Sequence, residues 1–214
     1  MKKQKHRPLY TALGLLAFFA LWTAAVRLMD VQAIGPQGSA VGLAGLNSFV
    51  HRLTGVHMTL YVITDWLGLV PLCVCLGFSL LGAVQWITRK HLRLVDRSIL
   101  ILGGFYVVVM GAYILFEKIV VNYRPVLIEG YLEASYPSST TMLVLCVMPT
   151  AVIQLRARIG NMALRHSVSA AMTIFSVFMV VGRLLSGVHW FSDIIGGVLL
   201  SAGLVELYRA ADAA

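Results

Sequence analysis

Six apolar runs dominate the sequence, at residues 9–26, 56–87, 98–116, 138–155, 167–186 and 189–207. Runs of this length leave few folds open. Each reaches or approaches the roughly 20 residues a helix needs to cross a ~30 Å hydrocarbon core. Lipid offers backbone groups no hydrogen-bond partners, so such runs become helices whose bonds close within the segment. At 59% hydrophobic and 12% charged residues, the chain has about half the charged share of a soluble domain and needs lipid to cover it. The expected fold is all-α: a polytopic membrane protein with six transmembrane helices and a single domain over residues 1–214.

Basic residues set the orientation. With the N-terminus in the cytoplasm, 12 of the 17 Lys and Arg residues fall inside; the reverse topology would violate the positive-inside rule. Both termini are therefore expected in the cytoplasm. The net charge of +8 is explained by these short loops, which excludes a nucleic-acid role. The first run follows Lys2, Lys3, Lys5 and Arg7 and is long enough to span, so it reads as an uncleaved anchor. Residues 41–53 are expected to form a short amphipathic helix at the interface. The 32-residue second run is longer than one straight span and carries Asp65, an ionisable residue that counts as a site candidate by default. Cys73, Cys75 and Cys146 all lie inside runs and read as packing residues. His51, His57, His91 and His166 fall in loops or interfaces and read as solvated.

The chemistry gathers at residues 182–193, Gly-Arg-Leu-Leu-Ser-Gly-Val-His-Trp-Phe-Ser-Asp. A helix beginning near His189 would set Asp193 one turn on, where its carboxylate holds one imidazole nitrogen and leaves the other free to attack. Arg183 lies six positions before the histidine, and its planar fork of donors suits phosphate oxygens. On the expected topology three segments meet this stretch at the outer face: the loop with Arg124, the start of the fourth run at Ser138, and the link from Arg183 to His189. Ser138 can cap that run, and free N–H groups at a helix start receive an anion favourably.

These residues resemble the type 2 phosphatidic acid phosphatases, membrane lipid phosphatases related to vanadium-dependent haloperoxidases. The resemblance covers about residues 116–197 and the six-helix layout. The family carries three signatures: a lysine, six residues, then Arg-Pro; Pro-Ser-Gly-His; and Ser-Arg, five residues, His, three residues, Asp. The third stands here as Arg183, His189 and Asp193, with Gly182 in place of the serine. The first survives as Arg124-Pro125, with Glu117 at the lysine position and Lys118 one residue late. The second reads Pro137-Ser138-Ser139-Thr140, a threonine replacing the histidine. The resemblance implies His189 as nucleophile, Asp193 as its orienter, and Arg124, Arg183, Ser138 and Ser139 as the phosphate cradle. Thr140, Lys118, Glu117 and Asp65 are further candidates. No metal or cofactor is expected.

Thr140 cannot protonate a departing alkoxide, a task whose loss typically costs ~10²- to 10⁴-fold. A diphosphate eases this, because its leaving group is a phosphate monoester with a second pKa of about 6. Glu117, Glu129 and Glu133 are candidate substitute acids. The leading expectation is a bacterial plasma-membrane enzyme of the cell envelope that hydrolyses a polyprenyl diphosphate, such as undecaprenyl diphosphate, through a phosphohistidine. A phosphatidate-like or phosphatidylglycerophosphate-like monoester stands behind it. The rival from another class is a non-catalytic lipid-phosphate binder or transporter that keeps the cradle.

Overall fold

A computed structural model describes residues 7–213. The N-terminal lysines that enter the orientation argument lie outside the described residues. Among the described residues eight α-helices follow in order: α1 (Arg7–Leu28), α2 (Ala44–Thr54), α3 (Met58–Leu67), α4 (Leu69–Arg89), α5 (Arg97–Lys118), α6 (Ser139–Arg158), α7 (Met162–Leu185) and α8 (Phe191–Asp212). Taking α3 and α4 as one span, six helical segments among the described residues are long and apolar enough to cross a membrane. The protein is an integral membrane protein.

The long second run breaks for a local reason. Pro71 has no N–H to donate to the Leu67 carbonyl, and its ring crowds that oxygen. The chain turns at Gly68, whose N–H bonds back to Thr64 and Asp65, and α4 continues as the second half of a 32-residue span, Met58–Arg89. Helix α2 starts three residues later than residue 41. Leu43 before it adopts a left-handed φ of 49°, and the Asp30 carboxylate accepts the Gly45 N–H at 2.6 Å, placing an anion at the helix start. Its outer face exposes Phe49 and Leu53, while Asn47 is buried.

Helices α6 and α8 form the centre of the bundle, half of each span buried, whereas the other spans turn most of their surface outward. Helix α1 packs along α8, and α7 packs along α6. The main buried cluster joins Phe19, Phe78, Leu102, Phe105, Tyr136 and Tyr208. In lipid such contacts act by close packing rather than by excluding water.

Residues 119–138 form a hairpin-like loop over one end of the bundle. Arg124 N–H donates to the Glu133 carbonyl at 3.0 Å and Ser135 N–H to that of Asn122 at 2.9 Å. The tip turns through Glu129 and Gly130, both with positive φ, the geometry of a tight hairpin turn. This pairing carries Asn122, Arg124 and Ser135 to the place where α7 ends and α8 begins.

Candidate active site

Helix α7 ends in a tight turn and α8 begins at Phe191, so His189 stands in the link between them rather than inside a helix. The turn requires Gly187. Its φ is +68°, and a Cβ there would lie 1.9 Å from the Gly55 carbonyl oxygen. His189 is 3% exposed. Arg124 Nη1 and Arg183 Nη2 each lie 3.3 Å from its Nε2. Two guanidinium donors facing Nε2 require that nitrogen to hold the lone pair, so the proton sits on Nδ1. Burial, and then the charges of Arg124 and Arg183, hold the imidazole pKa well below its usual value. The neutral form is the favoured one.

Asp193 does not grip the histidine directly, contrary to the expectation of a one-turn pair. Its Oδ2 is 4.0 Å from Nδ1. Ser135 fills the gap: its Oγ lies 3.0 Å from His189 Nδ1 and donates to Asp193 Oδ2 at 2.5 Å. The same Oδ2 accepts the Trp190 N–H at 2.9 Å, closing the start of α8. Asn122 Nδ2 and Ser192 Oγ donate to Oδ1 at 3.3 Å and 3.4 Å, and Asn47 ties Ser192 to α2 through bonds of 2.9 Å and 3.0 Å.

Arg183 is held from α3. Its guanidinium stacks on the Tyr61 ring at 5.0 Å, with Asp65 Oδ1 at 3.7 Å and Thr64 Oγ1 at 3.5 Å. Gly182 permits this approach, because a Cβ there would meet Thr64 Cγ2 at 2.8 Å. Arg124 Nε lies 3.0 Å from Glu133 Oε2, an ion pair without hydrogen-bond alignment. Arg183 Nε and Ser138 Oγ are buried without partners among the described residues.

Ser138 differs from its expected part. Its side chain caps nothing, and its N–H donates to the Asp193 carbonyl at 3.0 Å, joining the starts of α6 and α8. The first intrahelical bond of α6 is Met142 to Ser138. The N–H groups of Ser139, Thr140 and Thr141 precede it and remain for an anion.

Three adjoining cavities meet at Ser139. One reaches His189, Ser135 and Glu117. A second, of about 500 Å³, holds Arg124, Glu117 and Glu133. The third, of about 480 Å³, runs sideways between α4, α5 and α6, polar at Asp65, Ser139 and Thr140 and otherwise lined by residues such as Leu72, Val109 and Val147. Lys118 is exposed at the end of α5 and contributes to none of these contacts.

The PAP2 superfamily model matches residues 105–211. The chain belongs to the PAP2 superfamily. No curated protein matches. Among solved structures, the PAP2-type phosphatidylglycerolphosphate phosphatase of Bacillus subtilis shares the fold, with a TM-score of 0.62 over 94% of each chain at 18% identity. In this PAP2 protein Arg124 of the first signature lies beside Arg183 and His189 of the third, and Asp193 joins them through Ser135. Ser135 and Asn122 escaped sequence reasoning because their partners lie 54 to 71 residues away in the chain. His51 also departs from its solvated reading: its Nε2 lies 3.1 Å from the Gly187 carbonyl and its ring 5.4 Å from Trp190.

Proposed function

We propose that this PAP2 phosphatase hydrolyses a lipid diphosphate or phosphate by way of a phosphohistidine at His189, with a polyprenyl diphosphate as the leading substrate class. The observation that carries this reading is the placement of two guanidinium groups 3.3 Å from His189 Nε2, while Ser135 links Nδ1 to Asp193. Arg124, Arg183 and the first turn of α6 would hold the phosphoryl oxygens. Nε2 attacks phosphorus as the bond to the leaving oxygen breaks, and the developing imidazolium is stabilised through Ser135 by Asp193. Water then attacks the phosphohistidine and releases inorganic phosphate. Fixed donors aimed at a transferring phosphoryl group supply the main catalytic term in such reactions.

Thr140 supplies no proton to the leaving oxygen. A diphosphate attacked at its terminal phosphorus expels a lipid phosphate with a second pKa of about 6, which departs without one. The sideways cavity offers the lipid tail an apolar path from Ser139 into the bilayer. The basic-residue count supports a site at the outer leaflet, and the membrane of this reading is a bacterial plasma membrane. Cysteines replacing Tyr131, at the site end, and Lys90, at the other, should then be reactive and protected, respectively, toward an impermeant reagent on intact cells.

The alternative is a non-catalytic lipid-phosphate binder, which the replacements at Glu117 and Thr140 favour. Phosphate release from a polyprenyl diphosphate, a polyprenyl monophosphate and a phosphatidate separates the two, using purified protein and its His189→Ala variant. Release by the parent alone, fastest from the diphosphate, supports the enzyme reading. No release from any of the three, with retained binding of the diphosphate, supports the binder.

A further inference from the structure

A groove opens on the lipid-facing side at the end of the bundle away from His189. Helices α7 and α8 both pack along α6 but scarcely touch each other there. Between them lies a cleft of about 510 Å³, with Pro149 of α6 at its floor and Val177, Val181 and Val198 on its walls. Arg156 and Arg209 form its rim. Arg156 Nε donates to Ser169 Oγ at 3.0 Å, and its Nη groups meet no protein acceptor among the described residues. Arg209 Nη1 pairs with Glu206 Oε1 at 2.7 Å. Two guanidinium groups against one carboxylate leave the rim net positive.

The groove has the length of one leaflet. From Leu145 to Arg156 it follows α6 for about 16 Å at ~1.5 Å per residue, roughly half of a ~30 Å hydrocarbon core. A spanning helix from a second copy would need the full depth and would bury both arginines against protein. A single acyl chain needs only this length and brings its own headgroup to the rim. This end of the bundle also carries the basic loops that place it on the cytoplasmic side, where anionic lipid attracts Lys and Arg.

We propose that the α6–α7–α8 groove binds one acyl chain of an anionic phospholipid, its phosphate held by Arg156 and Arg209, as a site separate from the substrate pocket. The phosphate accepts the free Nη donors of Arg156 and shares Arg209 with Glu206. The chain fills the cleft over Pro149 and joins α7 to α8. This inference does not depend on turnover.

The test is native mass spectrometry of the detergent-purified protein, titrated with phosphatidylglycerol and phosphatidylcholine of identical acyl chains. The parent should retain phosphatidylglycerol at least about tenfold more tightly. Arg156→Gln with Arg209→Gln should bring the two lipids to the same affinity. Val177→Trp, at a side chain 58% exposed and so tolerant of bulk, should weaken both by filling the cleft. The substrate pocket is unchanged in all three proteins, so differences among them report the groove. Equal affinity for the two lipids in the parent, or full selectivity in the double arginine variant, would overturn the proposal. A dimer without bound lipid that Val177→Trp dissociates would overturn it in favour of a second copy.

Discussion

His189 Nδ1 and Asp193 Oδ2 stand 4.0 Å apart, and the hydroxyl of Ser135 occupies the interval. The hold of the carboxylate on the imidazole therefore passes through a side chain from another loop. Removing that hydroxyl leaves His189 free to turn or to change tautomer, and a small misplacement of a reacting group can cost about 10²-fold. Ser135→Ala should lower kcat by about that factor with KM little changed, while Ser135→Thr, which keeps the hydroxyl, should retain most of the activity. Adding Asp193→Asn to Ser135→Ala should cost less than the product of the two single losses, since both act on one linkage. Independent, multiplicative losses would separate Ser135 from Asp193.

Arg183 tests the cradle. It is 1% exposed and reaches Nε2 with one nitrogen while Tyr61 supports its plane. Arg183→Lys keeps a charge but loses the fork and the stacking. Turnover should fall by about 10²-fold or more, as for loss of one preorganised donor, with gel-filtration behaviour in detergent unchanged. Activity near that of the parent would make this arginine structural.

Much of this site is legible in the sequence because its charged members sit at fixed spacing in short segments. Arg183, His189 and Asp193 span only eleven residues, and Arg124 is marked by the proline after it. The break at Gly68 also has a local sign in Pro71. What the sequence conceals are partners joined only by folding. Ser135 meets its partners through the 119–138 hairpin, and Asn47 reaches Ser192 across 145 residues. Ser138 misleads in the opposite way: it looks like a helix cap, yet its side chain accepts no N–H of α6, and its own N–H joins the starts of α6 and α8 by donating to the Asp193 carbonyl.

The His189 pKa gives stability a defined pH dependence. Burial first, then Arg124 and Arg183, hold the imidazole well below its usual value near 6.5. As pH falls below that value, the unfolded chain takes up a proton at this histidine and the folded protein does not, so unfolding becomes favoured. The loss continues until the folded group titrates and reaches at most ~1.4 kcal/mol per pH unit. Thermal unfolding in detergent between pH 7 and pH 5 should show the parent losing more Tm than His189→Gln, which cannot titrate there. Parallel losses would mean that His189 charges freely in the folded protein.

Thr140 is the informative departure from the PAP2 signatures. It lines the sideways cavity beside Asp65 and Ser139, so an imidazole there would face the leaving oxygen. Thr140→His should raise monoester hydrolysis by a larger factor than diphosphate hydrolysis, because only the former departs as a strong base. An unchanged ratio of the two rates, together with loss of turnover on substituting Glu117, Glu129 or Glu133 by glutamine, would transfer the proton-donor part to that glutamate.

Transfer of the phosphoryl group to His189 would leave a covalent intermediate that can be trapped. A polyprenyl diphosphate labelled with ³²P in its terminal phosphate would be mixed with the protein, quenched in alkali within one turnover, and the labelled residue mapped. An alkali-stable, acid-labile label is expected on His189 of the parent, greater in amount when hydrolysis is slowed by cooling, and none on His189→Ala. Label recovered at another residue, or equal labelling of His189→Ala, would contradict it.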